Sequence, residues 1–171
     1  MTISLWVIFV MLVKMIILRK EITPTNMTHF LHTMIRITNI DESLRFYCEG
    51  LGLQEVRRTD YESGRFTLIF LATPEDIKNH KSPPMIELTY NWDPEEYTAG
   101  RNFGHLAFSV TNIYDTCRHL DNMEILILRP PKDGRMAFIK SPDGISVELL
   151  QNGPALPIEE PWASQPNIGT W

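Results

Sequence analysis

Two histidines and two glutamates stand where their types and spacing could hold a divalent metal. His32 opens the segment "HTMIRITNI" and His105 opens "HLAFSVTNI"; the histidine and the Thr-Asn-Ile that follows it recur at the same displacement of 73 positions, from 32 to 105 and from 38 to 111. Glu87 interrupts the apolar run "MIELTYN", and Glu148 interrupts "SVELL". An ionised carboxylate is expensive to bury without a partner. In a strand, each glutamate points away from its apolar neighbours Ile86 and Leu88, or Val147 and Leu149. Taken singly, such a glutamate reads as a solvent-facing residue on the open side of a sheet. Two matched His/Glu pairs shift the reading. Two imidazoles and two carboxylates brought together suit a divalent transition metal with positions left for water or substrate. A closed structural zinc site more often uses cysteines.

Residues 31 to 38 alternate as a strand with His32, Met34 and Arg36 on one face. Asp41 is the expected N-cap of a helix in which Leu44, Tyr47, Cys48 and Leu51 share a stripe. "FTLIFLAT" and "MIELTYN" read as strands, separated by the polar "PEDIKNHKSPP". The second half repeats the plan. His105 to Val110 is a strand and Tyr114 to Leu120 a short helix, followed by the strands "EILILRP" (124–130), "MAFIK" (136–140) and "SVELL" (146–150). The expected fold is α+β: an internal duplication of two βαβββ modules, 28–92 and 101–150, whose curved mixed sheets surround a metal site. Neither open module can enclose such a site alone.

With 171 residues and 43% hydrophobic content, the chain can build a proper core. Its net charge of −5 leaves no basic stripe for nucleic acid. Two cysteines, outside any CxxC, are too few for a disulfide scaffold and fit a reducing compartment. Residues 1–26 carry "SLWVIFVMLVKMIIL", which is short for a membrane span and interrupted by Lys14. It reads as an upstream extension, with Met27 a second start, or as a weak membrane anchor. The domain then runs 27–150, and 151–171 is a polar, proline-rich tail in which Trp162 and Trp171 are candidate anchors.

Polar residues share the faces of the four candidate ligands. Arg36 lies on the His32 face, Thr89 and Asn91 lie on the Glu87 face, and Arg101 lies in the loop just before His105. Such a set expects an anionic, hydrogen-bonding ligand. Arg57, Arg58 and Arg118 read as solvated surface charges, and His29, His80 and His119 as ordinary surface histidines.

Together, "LHTMIRI", "LRFYCEGLGL", "IELTYNW", "GHLAFSV" and "SPDGISVELL" resemble glyoxalase I, the lactoylglutathione lyase family of the vicinal-oxygen-chelate superfamily, from about Thr28 to Gln151. The resemblance implies isomerisation of the methylglyoxal–glutathione hemithioacetal to S-D-lactoylglutathione in the cytoplasm. It implies His32, Glu87, His105 and Glu148 as metal ligands, Glu148 as the principal base, and a homodimer in which modules of two chains form the site. It also implies glutathione contacts at Arg36, Asn91, Arg101 and Arg129, and a covering methionine at Met136. A histidine as first ligand and a compact connection from Ala72 to Met85 favour nickel or cobalt over zinc. Where many members read "DGKMKG", this chain reads "DGRMAFI", a shorter loop at the thiol end of the site. The alternatives are another enzyme of the superfamily, an epimerase or dioxygenase, or a non-catalytic binding module on the same scaffold.

Overall fold

The computed structural model describes residues 28–98, 100 and 102–171. The expectations for residues 1–26, for a start at Met27 and for Arg101 lie outside the described residues.

The first module runs β1 (His32–Ile37), α1 (Ile40–Leu44), β2 (Gln54–Tyr61), β3 (Phe66–Ala72), α2 (Pro74–Asn79) and β4 (Met85–Asn91). The second runs β5 (His105–Val110), α3 (Ile113–Asn122), β6 (Ile127–Arg129), β7 (Met136–Lys140) and β8 (Ser146–Gln151). Each makes an open four-stranded mixed sheet, in the orders β1-β4-β3-β2 and β5-β8-β7-β6. β1 lies parallel to β4 and β5 parallel to β8, and the remaining pairs are antiparallel. The two modules share one topology.

The repeated Thr-Asn-Ile is a pair of helix starts. The Asn39 side chain accepts the Glu42 N–H at 3.2 Å, and Asn112 accepts those of Tyr114 and Asp115 at 3.0 and 3.2 Å. Asn39, not the expected Asp41, is therefore the N-cap. Asp41 and Glu42 lie in the first turn, where the helix dipole favours negative charge. After Leu44 the helix widens into a π-helical turn, Arg45–Gly50, that buries Phe46 and Tyr47. Three other elements depart from expectation. β2 is a full strand although all eight of its residues are exposed, so no apolar alternation marks it. Thr73 caps α2 inside the segment read as a loop. β6 keeps only three residues, because Glu124 takes a positive φ of 61° and the segment before Ile127 turns.

One core joins the modules. Ile35, Ile37, Tyr47, Leu71 and Leu88 from the first pack in the same cluster as Ile113, Leu120, Ile139, Val147 and Leu149 from the second. Polar bonds cross the same boundary. Asp143 accepts the N–H and hydroxyl of Thr38, both at 2.8 Å, and the hydroxyl of buried Ser43 at 3.2 Å. Arg45 donates to the Met123 carbonyl, and His119 Nε2 to that of Glu49 at 2.8 Å. Cys117 is buried and Cys48 half-buried, both free thiols. Burial pushes the Cys117 thiol up to about 12. Side chains alternate along a strand, so with Ile35, Ile37, Val147 and Leu149 turned to the shared core, His32 and Glu148 lie on the opposite, open faces.

Candidate metal centre

In the first sheet, β1 and β4 run side by side with Met34 opposite Glu87. His32, two residues before Met34 and on its face, then reaches the carboxylate diagonally, with Nε2 3.1 Å from Glu87 Oε2. The Thr89 hydroxyl lies 3.4 Å from the other carboxylate oxygen. Phe70 is the register partner of Glu87 on β3, and its ring stands edge-on to the His32 ring at 5.8 Å. The Arg57 guanidinium, from β2, covers Phe70 at 3.9 Å from the ring centroid.

The second sheet builds the same figure from the same register. Ala107 is opposite Glu148, and His105 Nε2 lies 3.1 Å from Glu148 Oε2. Phe138 is the register partner of Glu148 and stands edge-on to His105 at 5.4 Å. The glutamate side chains are 13% and 14% exposed against 38% and 42% for the histidines, so each carboxylate sits at the floor of its pair and each imidazole at its rim. The chemistry of the donors fits a divalent ion: each pair brings an imidazole nitrogen and a carboxylate oxygen within 3.1 Å of each other. Among the described residues, no three His, Cys, Asp or Glu side chains come together. The expected set of four is present as two pairs, one per sheet.

The other expected residues are placed as follows. Arg36 is exposed on the His32 face of β1, in register with Thr89. Asn91 Nδ2 donates to Glu95 Oε2 at 2.9 Å and to the Tyr97 hydroxyl at 3.1 Å. It lines a shallow open hollow with Thr38, Trp92 and Tyr97. Met136 is half-buried at the start of β7. Arg129 has both arms engaged, Nη1 with the Met136 carbonyl at 2.6 Å and Nη2 with Asp133 at 3.0 Å. Burial would raise the Asp133 carboxyl, but the Arg129 guanidinium and the N–H groups of Arg135 and Met136 hold it below its ordinary value. Arg57 is the residue that sequence reasoning set aside. It is exposed, as read from the sequence, and its guanidinium also lies on the aromatic ring beside His32. The signal that could have found it is positional: Arg57 partners Phe70 as Arg129 partners Phe138.

The family model of the Glyoxalase/Bleomycin resistance protein/Dioxygenase superfamily matches residues 29–149, which span both His/Glu pairs. The chain belongs to this superfamily. Among the relatives of this glyoxalase-superfamily member is a probable lactoylglutathione lyase of Synechocystis sp., 42% identical over 126 residues, covering 71% of this chain and 93% of the relative. The lactoylglutathione lyase of Neisseria meningitidis is 38% identical over 126 residues, covering 71% of this chain and 88% of its own length. Among solved structures, the trypanothione-dependent glyoxalase I of Leishmania major superposes with a TM-score of 0.65 at 33% identity, covering 73% of this chain and 87% of the other.

Proposed function

We propose that this superfamily member is a lactoylglutathione lyase, isomerising the hemithioacetal of methylglyoxal and glutathione to S-D-lactoylglutathione. The observation that carries the reading is the equivalence of the two His/Glu pairs, each closed at 3.1 Å by the same strand register. The identity to lyases whose own length is matched over 93% and 88% adds to it.

His32, Glu87, His105 and Glu148 would hold the ion. A bound divalent ion supplies positive charge that offsets the negative charge developing on the two substrate oxygens. Four donors divided between two open faces call for a second copy of the chain, the first sheet of one protomer facing the second sheet of its partner. We therefore read the protein as a homodimer with two such centres. The preference for nickel or cobalt ahead of zinc rests on the family resemblance, through a histidine as first ligand and the compact connection from Ala72 to Met85.

Glu148 is the proton carrier. Its carboxylate takes the proton from the carbon that bears sulfur and returns it to the neighbouring carbonyl carbon, while the hydroxyl proton passes from the first oxygen to the second, so the hemithioacetal becomes a 2-hydroxythioester without net redox change. The low exposure of this side chain keeps water from competing for that proton. Arg36, Asn91 and Arg101 suit the carboxylates of glutathione, and Arg57 adds a cation on the same sheet. Arg129, tied to Asp133 and Met136, instead holds the loop that carries Met136 in place. Among the described residues no helix is long and apolar enough to cross a membrane. The reading carries a cytoplasmic setting, in which free Cys48 and Cys117 remain reduced.

The test is to strip the purified protein of metal, reload it separately with nickel, cobalt or zinc, and follow thioester formation from preformed hemithioacetal. Turnover is expected with nickel or cobalt. Turnover with zinc alone overturns the metal preference, and no turnover with any ion in a folded, metal-binding dimer overturns the lyase.

A further inference from the structure

Residues 151–171 lie beyond the segment that the superfamily model matches, yet they return to the second His/Glu pair. Their path is fixed at successive points. The Leu156 N–H donates to the Gly134 carbonyl at 3.0 Å, the Tyr114 hydroxyl to that of Pro157 at 3.0 Å, and Arg118 to Glu159 at 2.6 Å. Trp162, 3% exposed, is sunk in the shared core. The Ile168 N–H then donates to the Leu128 carbonyl at 2.8 Å on the outer strand β6, and Lys140 donates to the Thr170 carbonyl at 2.9 Å. The seat is shaped for the tail: a Cβ on Gly134, where φ is 64°, would lie 2.1 Å from the Leu156 carbonyl oxygen. The last residue, Trp171, stacks on Phe138 with ring centroids 5.6 Å apart and planes 25° apart. Phe138 is thereby reduced to 7% exposure, while the indole keeps 42% of its surface open beside the ring that faces His105.

We propose that Trp171 is a specificity-determining residue of the centre, forming with Phe138 a wall for the substituent of an aromatic 2-oxoaldehyde. This rests on the lyase reading for the identity of the substrate. The open faces of the two sheets differ in chemistry. The first carries Arg36 and Arg57, suited to the carboxylates of a thiol peptide; the second carries Phe138 and Trp171, with Lys140 bonded to Thr170 and Arg129 to Asp133. An aryl group on the aldehyde carbon has a flat apolar surface, and the exposed flank of the indole offers a matching one.

The experiment uses the full metal-loaded chain and its variants Trp171→Ala and Trp171→Phe. It compares kcat/KM for the glutathione hemithioacetals of phenylglyoxal and methylglyoxal. Calorimetry in parallel measures Kd for S-phenacylglutathione and S-acetonylglutathione, which carry the same substituents on a skeleton that cannot isomerise. In W171A the phenyl substrate is expected to lose about five- to tenfold in kcat/KM, the size of an aromatic contact, and the methyl substrate less than about twofold. W171F should keep most of the phenyl preference, and phenacyl binding should weaken in W171A alone. Wild-type turnover with a phenyl-to-methyl ratio that W171A leaves unchanged overturns the wall and spares the lyase. Absent wild-type turnover, with phenacyl binding still weakened by W171A, supports the wall and removes the lyase. Unchanged phenacyl binding in W171A overturns the wall in either case.

Discussion

The two His/Glu pairs are alike in their donors and unlike in what surrounds them. In both sheets the histidine meets the glutamate at 3.1 Å and a phenylalanine in register with the glutamate stands edge-on to the imidazole. The difference lies on the phenylalanine. Arg57 covers Phe70, whereas the equivalent Arg129 is drawn off to Asp133 and the Met136 carbonyl, and Trp171 takes its place over Phe138. Strand register alone sets the donor geometry, so the repeat preserves it. The flank depends on side-chain partners outside the repeat, so it has specialised: one half cationic, the other aromatic.

The largest expected effect breaks the equivalence of the glutamates. Glu148→Gln should lower turnover by about a thousandfold through loss of the proton carrier. Glu87→Gln should act chiefly through metal affinity, read by metal content after dialysis. Mixing the two variants, with subunits exchanged, sharpens the picture. If each centre takes one sheet from each chain, a mixed dimer contains one whole centre and one doubly altered centre, and about a quarter of wild-type activity returns. No recovery under proven exchange would place both pairs of a centre in one chain. A smaller effect separates the arginines. Arg57→Ala should raise KM for the hemithioacetal about tenfold, as loss of a charge-assisted contact does, with kcat little changed. Arg129→Ala should instead lower the melting temperature by loosening the loop at Met136; a pure KM effect there would mean that Arg129 contacts the thiol after all. The smallest concerns the caps. Asn39→Ala and Asn112→Ala should each cost about 1 kcal/mol in denaturant unfolding. Asn112 should cost the more, because it holds two amide donors against one.

The pairing of each histidine with a glutamate was legible because it depends on short-range pattern. A charge inside an apolar strand, repeated at matching places, says which face it occupies, and register does the rest. β2 was hidden because a strand with every side chain exposed leaves no alternation to read. Asn39 lost to Asp41 on paper because both residue types cap helices and the pattern fixed the helix start only to within a residue or two. Arg57 was passed over because a lone arginine gives no local sign of the ring beneath it. The seat of Trp171 was further still from reach, since it depends on Gly134, Tyr114, Leu128 and Lys140 meeting the tail in three dimensions.

The stacking of Trp171 on Phe138 also makes the second sheet visible to light. An indole left 42% exposed beside that ring changes its emission when a neighbour arrives or leaves, whereas Trp162, at 3% exposure, holds a constant background. Occupation of the face around His105 and Glu148 can therefore be followed by fluorescence in the unmodified protein, with W171F as the blank.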